Sequence, residues 1–511
     1  MTRPDNRARA SAATKMLALI GVCCAAAAMP LTFTGPAVAL PAISRDLGGS
    51  PIALNWVTNA FMLTFGSALM AAGALADSYG RKRIFLSGLA VFMLFSAALA
   101  FSGDIVRFDV LRALQGVGAA AAFSGGMASL AQEFEGDERM RAFSIVGSSF
   151  GVGLAFGPIA SGFMVETFGW PAIFVLVFAL GALAFAFGAR FLHETRDPAA
   201  SGVDWPGAIS FTLALTLFTY GMLRAPEHGW QDPAVLALLA ASAVLMAMFC
   251  FIERTVKRPM LDLTLFRYPR FVGVQLLAAA PAYAFVVLLI LLPVRFVGID
   301  GMSEVGAGQM MIWLSAPLLV LPMVAGQLTR WFAPAIICSV GLLISAAGLF
   351  WLSSVPGSAA HASLIAPLLA IGVGISLPWG LMDGLAVSVV PKERAGMATG
   401  IFSTTRVAGE GVALAIVSAV LSALTQSSIG GGQQGSTAVA AQRMVTGDIH
   451  AAAAALPSMT HDALIQSYGH AFSTLLLLLA GITVMTAIVV GLFLGRRTNE
   501  PEETVCESPA M

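Results

Sequence analysis

Four ionisable side chains lie where ionisable side chains are costly: Arg112, Asp383, Arg406 and Glu410 each fall inside a long apolar stretch of this 511-residue chain. A charge at the centre of a hydrocarbon layer costs about 2.5 to 3.5 kcal/mol on insertion scales, so each needs a partner or a task. A carboxyl that is neutral in hydrocarbon and charged where water reaches it can couple proton movement to another process. At about 1.5 Å per helical residue, Glu410 stands about 20 Å along its stretch and Asp383 about 12 Å inward of Pro391. These two are the proton-coupling candidates, with Glu410 the deeper. Arg406 is one turn before Glu410, so an intrahelical ion pair that neutralises both is the competing reading. Arg112 lies about a turn from the end of its stretch, where it either snorkels or faces the interior and meets an acceptor.

Enzymatic chemistry finds no footing. His193-Glu194 lacks the second histidine of a zinc helix, and no G-x-x-x-x-G-K-[ST] phosphate loop occurs. The five cysteines, Cys23, Cys24, Cys250, Cys338 and Cys506, have neither metal-ligand nor redox spacing. No catalytic residue, metal or cofactor is expected.

The elements that position the four charges are membrane-spanning helices. Hydrophobic residues make up 58% of the chain, charged residues 11%, and the mean hydropathy is +0.84; soluble domains carry about 25% charged residues. The fold class is all-α integral membrane protein. Fourteen stretches are long enough to cross a bilayer, at 16–40, 53–75, 84–102, 108–131, 142–165, 171–191, 205–223, 234–253, 271–293, 307–328, 334–354, 363–389, 397–424 and 470–494. They are numbered here as spans 1 to 14. With the N-terminus in the cytoplasm, 21 of the 28 Lys and Arg residues fall inside and five outside (Arg45, Arg107, Arg224, Arg295, Arg443), which sets the orientation and puts both termini on the cytoplasmic side. The basic start, with Arg3, Arg7, Arg9 and Lys15, resembles a signal peptide only superficially, because apolar character runs past Pro30 to Leu40.

The formal net charge is zero, so no nucleic-acid surface is implied, and the basic link around Arg254, Lys257, Arg258, Arg267 and Arg270 reads as a loop anchor. Partners are a small-molecule substrate, protons and the lipid bilayer; an oligomer is not required. The segment 425–469 is expected to be the one long loop, with a short helix near Ala451 to Ala455.

Three motifs sharpen this reading. Gly73-Ala74-Leu75-Ala76-Asp77-Ser78-Tyr79-Gly80-Arg81-Lys82-Arg83 is a charged hinge between spans 2 and 3, with a decayed second copy, Gly326-Gln327-Leu328-Thr329-Arg330, after span 10. Span 4 carries Arg112-Ala113-Leu114-Gln115-Gly116-Val117-Gly118-Ala119-Ala120. Span 5 carries Gly153-Leu154-Ala155-Phe156-Gly157-Pro158-Ile159-Ala160-Ser161-Gly162, whose small residues four apart permit close helix approach and whose proline permits a bend. The repeat suggests six-helix bundles from spans 1 to 6 and 9 to 14, with spans 7 and 8 inserted. The corresponding domains are 1–195, 196–264, 265–495 and a tail at 496–511.

Together with Asn55-Trp56-Val57, Gly169-Trp170, Asp204-Trp205-Pro206-Gly207 and the stretch from Glu253 to Phe271, these motifs resemble the major facilitator superfamily, and within it the fourteen-helix drug:proton antiporters. The resemblance implies a proton-coupled exporter of hydrophobic or cationic drugs. It makes Gly73, Asp77, Gly80, Arg81 and Lys82 a gating hinge that contacts the start of span 13 and holds an outward-open arrangement. It makes Gly153, Gly157, Pro158 and Gly162 an antiporter motif. Two departures stand out: Thr32 and Ala37 occupy span 1 where such proteins place an acid and an asparagine, and Pro171 replaces the arginine after Gly169-Trp170. Only four asparagines occur in the chain, at 6, 55, 59 and 499, which disfavours a sugar or organic-anion carrier. An exporter of one endogenous metabolite or siderophore, and a non-transporting membrane sensor or scaffold, are the alternatives.

Overall fold

The computed structural model describes residues 12–134, 136–196, 204–256, 259, 261–355, 361–389, 395–430 and 434–495. Outside them lie Arg3, Arg7, Arg9, Lys257, Arg258, Pro391, Gly431, Gly432, Cys506 and the 496–511 tail. Among the described residues there is no strand. The spans are Ala12–Leu47, Pro51–Tyr79, Arg81–Ala100, Ile105–Glu133, Gly136–Phe168, Pro171–Phe191, Trp205–His228, Pro233–Thr255, Pro269–Gly298, Glu304–Leu328, Pro334–Ser354, Ile365–Ser388, Ala395–Ile429 and His461–Leu494. Thirteen are long and apolar enough to cross a membrane by length and composition. The remaining one, span 4, has 29 residues and carries Arg107, Asp109 and Arg112.

Local sequence explains where the helices begin. Ser50 accepts from Ala53 N, with Pro51 in the first turn of span 2. Asp104 accepts from Arg107 N at 2.8 Å, Asp204 from Gly207 N at 2.9 Å, and Asp232 from Ala234 N at 2.9 Å. Each side chain satisfies a backbone donor left free in a first helical turn. Asp204-Trp205-Pro206-Gly207 is therefore a helix start, with cap and proline in their favoured places. Span 9 contains one π-helical turn, Ala282–Val286.

The spans pack as two sets of six with the same neighbours. Span 1 packs on spans 5 and 6, span 2 on 4, and span 3 on 4 and 6; span 9 packs on 13 and 14, span 10 on 12, and span 11 on 12 and 14. Each of these five pairings in the first set recurs eight spans later in the second. The sets meet along span 2 with span 13, span 5 with span 10, and span 1 with span 9, and spans 7 and 8 pair with each other while span 7 leans on spans 2 and 13.

One expectation is corrected. The segment 425–469 is largely helical: span 13 continues to Ile429, two helices follow at Gln434–Val445 and Ile449–Ala455, and span 14 starts at His461. Its apolar periodicity has something to bury against, since Ala440, Ala441, Met444 and Ala452 are buried. Arg443 Nη1 donates to Gly49 O at 3.0 Å, and a Cβ at Gly298 would sit 2.2 Å from Gly447 O. The segment thus forms a cap over the ends of spans 1, 2 and 9. The side bearing it is the cap face; the opposite side, bearing Gly80, is the hinge face.

Candidate functional site

The hinge is built around one backbone conformation. Gly80 has φ +115°, a region that disfavours a side chain, and a Cβ there would lie 2.5 Å from Glu194 Oε1. That carboxylate accepts from Lys82 N at 3.2 Å and Arg83 N at 3.1 Å, capping span 3 from the far end of span 6. Lys82 Nζ donates to Ala189 O at 2.8 Å, and Arg81 N to Thr195 O at 2.9 Å. Arg81 makes two bonds to Asp77 Oδ1, at 2.9 and 2.7 Å, one turn back. The neighbouring His193 pairs its ring with Glu133 of span 4 at 2.7 Å. Asp77 is thus held inside the hinge in this conformation; the side chains at the start of span 13, where the resemblance places its other partner, lie outside the described residues. Gly73, two turns along span 2 from Gly66, has no atom of the described residues near enough to touch a Cβ.

Arg112 does not snorkel. It is wholly buried, donating through Nε to Val57 O and through Nη1 to Gln115 Oε1, both at 2.7 Å, with its guanidinium 4.7 Å from the Phe61 ring centre. Gln115 passes the bond on to Ser96 Oγ at 2.7 Å. The motif ties spans 2, 3 and 4 together, and its glycines admit the neighbours: a Cβ at Gly116 would meet Thr64 Oγ1 at 2.1 Å, and one at Gly118 would meet Phe92 N at 2.6 Å.

The span 5 motif divides its labour. Gly153 and Gly157 face span 1, where a Cβ would meet Ala27 O at 2.3 Å or Thr34 Oγ1 at 2.6 Å. Gly162 faces the other bundle, at 2.4 Å from Glu304 O, and a Cβ at Gly308 on span 10 would meet the Pro158-Ile159 backbone. Glu166 Oε1 accepts from Val305 N at 2.9 Å in the same contact. Farther from the cap face the two spans part. A Cβ at Gly151 would reach Leu318 O at 3.7 Å, and one at Gly147, a turn further, would reach nothing within 4 Å among the described residues. Spans 2 and 13 behave alike, with Gly66 tight on Ala408 and Gly73 free. The bundles therefore meet at the cap face and diverge into a cleft that opens at the hinge face.

Arg406 stands at the apex of that cleft, two residues before Ala408. Its Nη1 bonds Asp383 Oδ1 of span 12 at 3.4 Å, and its guanidinium lies 6.0, 5.9 and 5.6 Å from the ring centres of Phe150, Trp379 and Phe402. The intrahelical Arg406–Glu410 pair is not formed. Helical side chains lean toward the N-terminal turn, which carries Arg406 away from Glu410 and toward Asp383, and arginine before glutamate is the weaker order at i, i+4. Glu410 is 2% exposed and, among the described residues, has no ion-pair partner within 4 Å. The Asp383 side chain is 61% exposed. Span 1 offers no acid in its place: Thr32 and Thr34 are buried and return their hydroxyls to Ala28 O and Pro30 O.

Sequence reasoning missed Asp109, half-buried with Oδ1 unpartnered one turn from Arg112 near the start of span 4. It also missed the three rings around Arg406. They come from spans 5, 12 and 13, and no spacing along the chain links them. Glu194 was visible only as part of a rejected zinc motif.

A sequence model described as Major Facilitator Superfamily matches residues 21–414. The chain is 30% identical over 391 residues to the multidrug resistance protein Stp of Mycobacterium tuberculosis, covering 76% of this chain and 72% of that protein. It is 28% identical over 404 residues to the tetracenomycin C resistance and export protein of Streptomyces glaucescens, covering 79% and 75%. It is 31% identical over 402 residues to the cephamycin export protein CmcT of Amycolatopsis lactamdurans, covering 76% and 82%. Among solved structures, one of proton dependent oligopeptide transporters superposes with a TM-score of 0.57 at 15% identity, over 94% of this chain and 98% of that one, a likeness of fold.

Proposed function

Because the chain belongs to the major facilitator superfamily, and is thus a membrane transporter and not an enzyme, we propose that it exports hydrophobic toxic compounds in exchange for protons, with Glu410 carrying the proton. The observation that carries this reading is Glu410 itself: a carboxyl 2% exposed, without an ion-pair partner among the described residues, beside the contact between spans 2 and 13. An ionised carboxylate left there would be costly, so the protonated form is favoured until a rearrangement exposes it. The positive-charge bias favours a cytoplasmic hinge face, so the cleft takes cargo from the cytoplasm and the inner leaflet. The bundles then rock: the cap-face contacts of Gly162 with Glu304 and of Arg443 with Gly49 open while the gaps at Gly73 and Gly147 close, and cargo leaves outward as a proton enters. Asp77, released from Arg81, engages the start of span 13 in that second state, where a helix N-terminus favours a carboxylate. The relatives that confer resistance or export antibiotics support the outward direction.

Inverted membrane vesicles energised with a proton gradient test this. The wild type should accumulate a hydrophobic antibiotic and lose the accumulation when the gradient is collapsed. Glu410→Gln should abolish accumulation while leaving downhill exchange. Uphill transport by Glu410→Gln would refute the assignment. An exporter of a single natural product is the second reading, favoured by the likeness to the tetracenomycin C and cephamycin export proteins.

A further inference from the structure

Arg406 is a buried cation held loosely between the two bundles. It is 7% exposed, yet among the described residues its one ionic bond, to Asp383, is 3.4 Å long, and its Nε has no hydrogen-bond partner. Charge-assisted bonds of this kind are ordinarily about 2.7 to 2.9 Å, and a buried guanidinium with five donors normally fills most of them. The three rings lie at the outer edge of the cation–π range, about 6 Å, so they wall the guanidinium without saturating it. Phe150 belongs to one bundle and Trp379 and Phe402 to the other, so the group sits between the halves, at the apex of the cleft. Its partner Asp383 is 61% exposed and bonded only at 3.4 Å, so a stronger acceptor can displace it.

We infer that Arg406, walled by Phe150, Trp379 and Phe402, is the cargo-recognition point, and that it selects planar aromatic compounds bearing an anionic oxygen, such as a carboxylate or phenolate. The inference rests on the export reading above and narrows its cargo. The aromatic part of the cargo stacks among the rings, the anionic oxygen takes the free Nε and the Nη1 that Asp383 holds weakly, and Asp383 is released to water. Cationic cargo meets a fixed positive charge at the same point and is rejected.

Three probes with one ring system separate charge from shape: 9-anthracenecarboxylate, its neutral methyl ester, and 9-anthrylmethyl-trimethylammonium. Binding to the purified full chain in nanodiscs is read by anthracene fluorescence, and transport by uptake into inverted vesicles. The wild type should bind the carboxylate about tenfold or more tighter than the ester, the scale of one charge-assisted hydrogen bond, and the ammonium weakest. Arg406→Gln should erase the preference for carboxylate over ester. Asp383→Asn, which removes the competing acceptor, should tighten carboxylate binding while leaving the ester unchanged; a merely structural ion pair would not produce that gain. Trp379→Leu should weaken carboxylate and ester alike, and it keeps the test decisive if Arg406→Gln fails to insert. Equal binding of ammonium and carboxylate, no binding of any probe, or an unchanged ratio in Arg406→Gln would overturn the inference. Arg406-dependent binding without uptake of any probe would defeat the export reading and leave the recognition point standing. Uptake of the ammonium alone would do the reverse.

Discussion

Gly162→Ala adds one carbon at a tight contact between the two bundles. That carbon would sit 2.4 Å from Glu304 O, 2.7 Å from Glu304 C and 3.0 Å from Val305 N. Optimal carbon contacts are about 3.5 Å, so the spans must part by roughly 1 Å at the cap face. The obstacle is backbone and cannot swing aside, and Val305 N is tied to Glu166 at 2.9 Å. Overpacking of this kind costs about 1 to 3 kcal/mol. The strain acts only where the cap face is closed, so the balance should move toward the cap-open, hinge-closed state by about 5- to 150-fold. Spin labels at Tyr79→Cys and Trp331→Cys, both exposed on the hinge face and on different bundles, report this by pulsed distance measurement in nanodiscs, with the native cysteines replaced by serine. The distance distribution should shift to shorter values. Gly147→Ala lies on the same face of span 5 with open space around it and should leave the distribution unchanged. An unshifted distribution in a correctly inserted Gly162→Ala protein would refute both the contact and the rocking argument.

Asp77→Asn should slow flux severalfold while leaving binding of the anthracene probes within about twofold, because its role lies in the state change; lost binding in a folded protein would count against the hinge assignment. Gly157→Leu should destabilise the first bundle through collision with Thr34 and Leu31 of span 1, by about 1 to 3 kcal/mol, seen as a lower unfolding temperature in detergent; unchanged stability with full transport would show the close approach to be unimportant. Glu194→Ala uncaps span 3 and should cost about 1 kcal/mol, read by the same thermal assay. In the vesicle assay, Asp383→Asn should depress uphill accumulation less than Glu410→Gln does; the opposite order would move the proton site to span 12.

The chain's periodicity and composition dictated much of this architecture. Apolar runs of spanning length, punctuated by Asp104, Asp204 and Asp232 caps and by glycine hinges, leave few alternatives to a stack of spanning helices, since backbone polar groups in hydrocarbon must bond within their own segment. The motifs named the family for the same reason: Gly80, Gly116 and Gly157 sit where a neighbour's atoms exclude a Cβ, and such exclusions leave a mark at fixed spacing. The 425–469 segment was misread because its glycine and glutamine content looks like loop until a surface is present to bury Ala440, Ala441 and Met444.

What the sequence left open were contacts between residues far apart along the chain. Glu410 and Arg406, one turn apart on span 13, invited a local pair; the tertiary structure gave Arg406 to Asp383, because helical side chains lean back along their own axis and span 12 lies on that side. The aromatic walls of Arg406 come from residues 150, 379 and 402, and the opening of the cleft at the hinge face comes from how spans 5 and 10 diverge beyond Gly151. Pattern along a chain records which face of each helix is apolar or small. Which charge meets which, and on which side the bundles separate, is decided only when those faces are packed against one another.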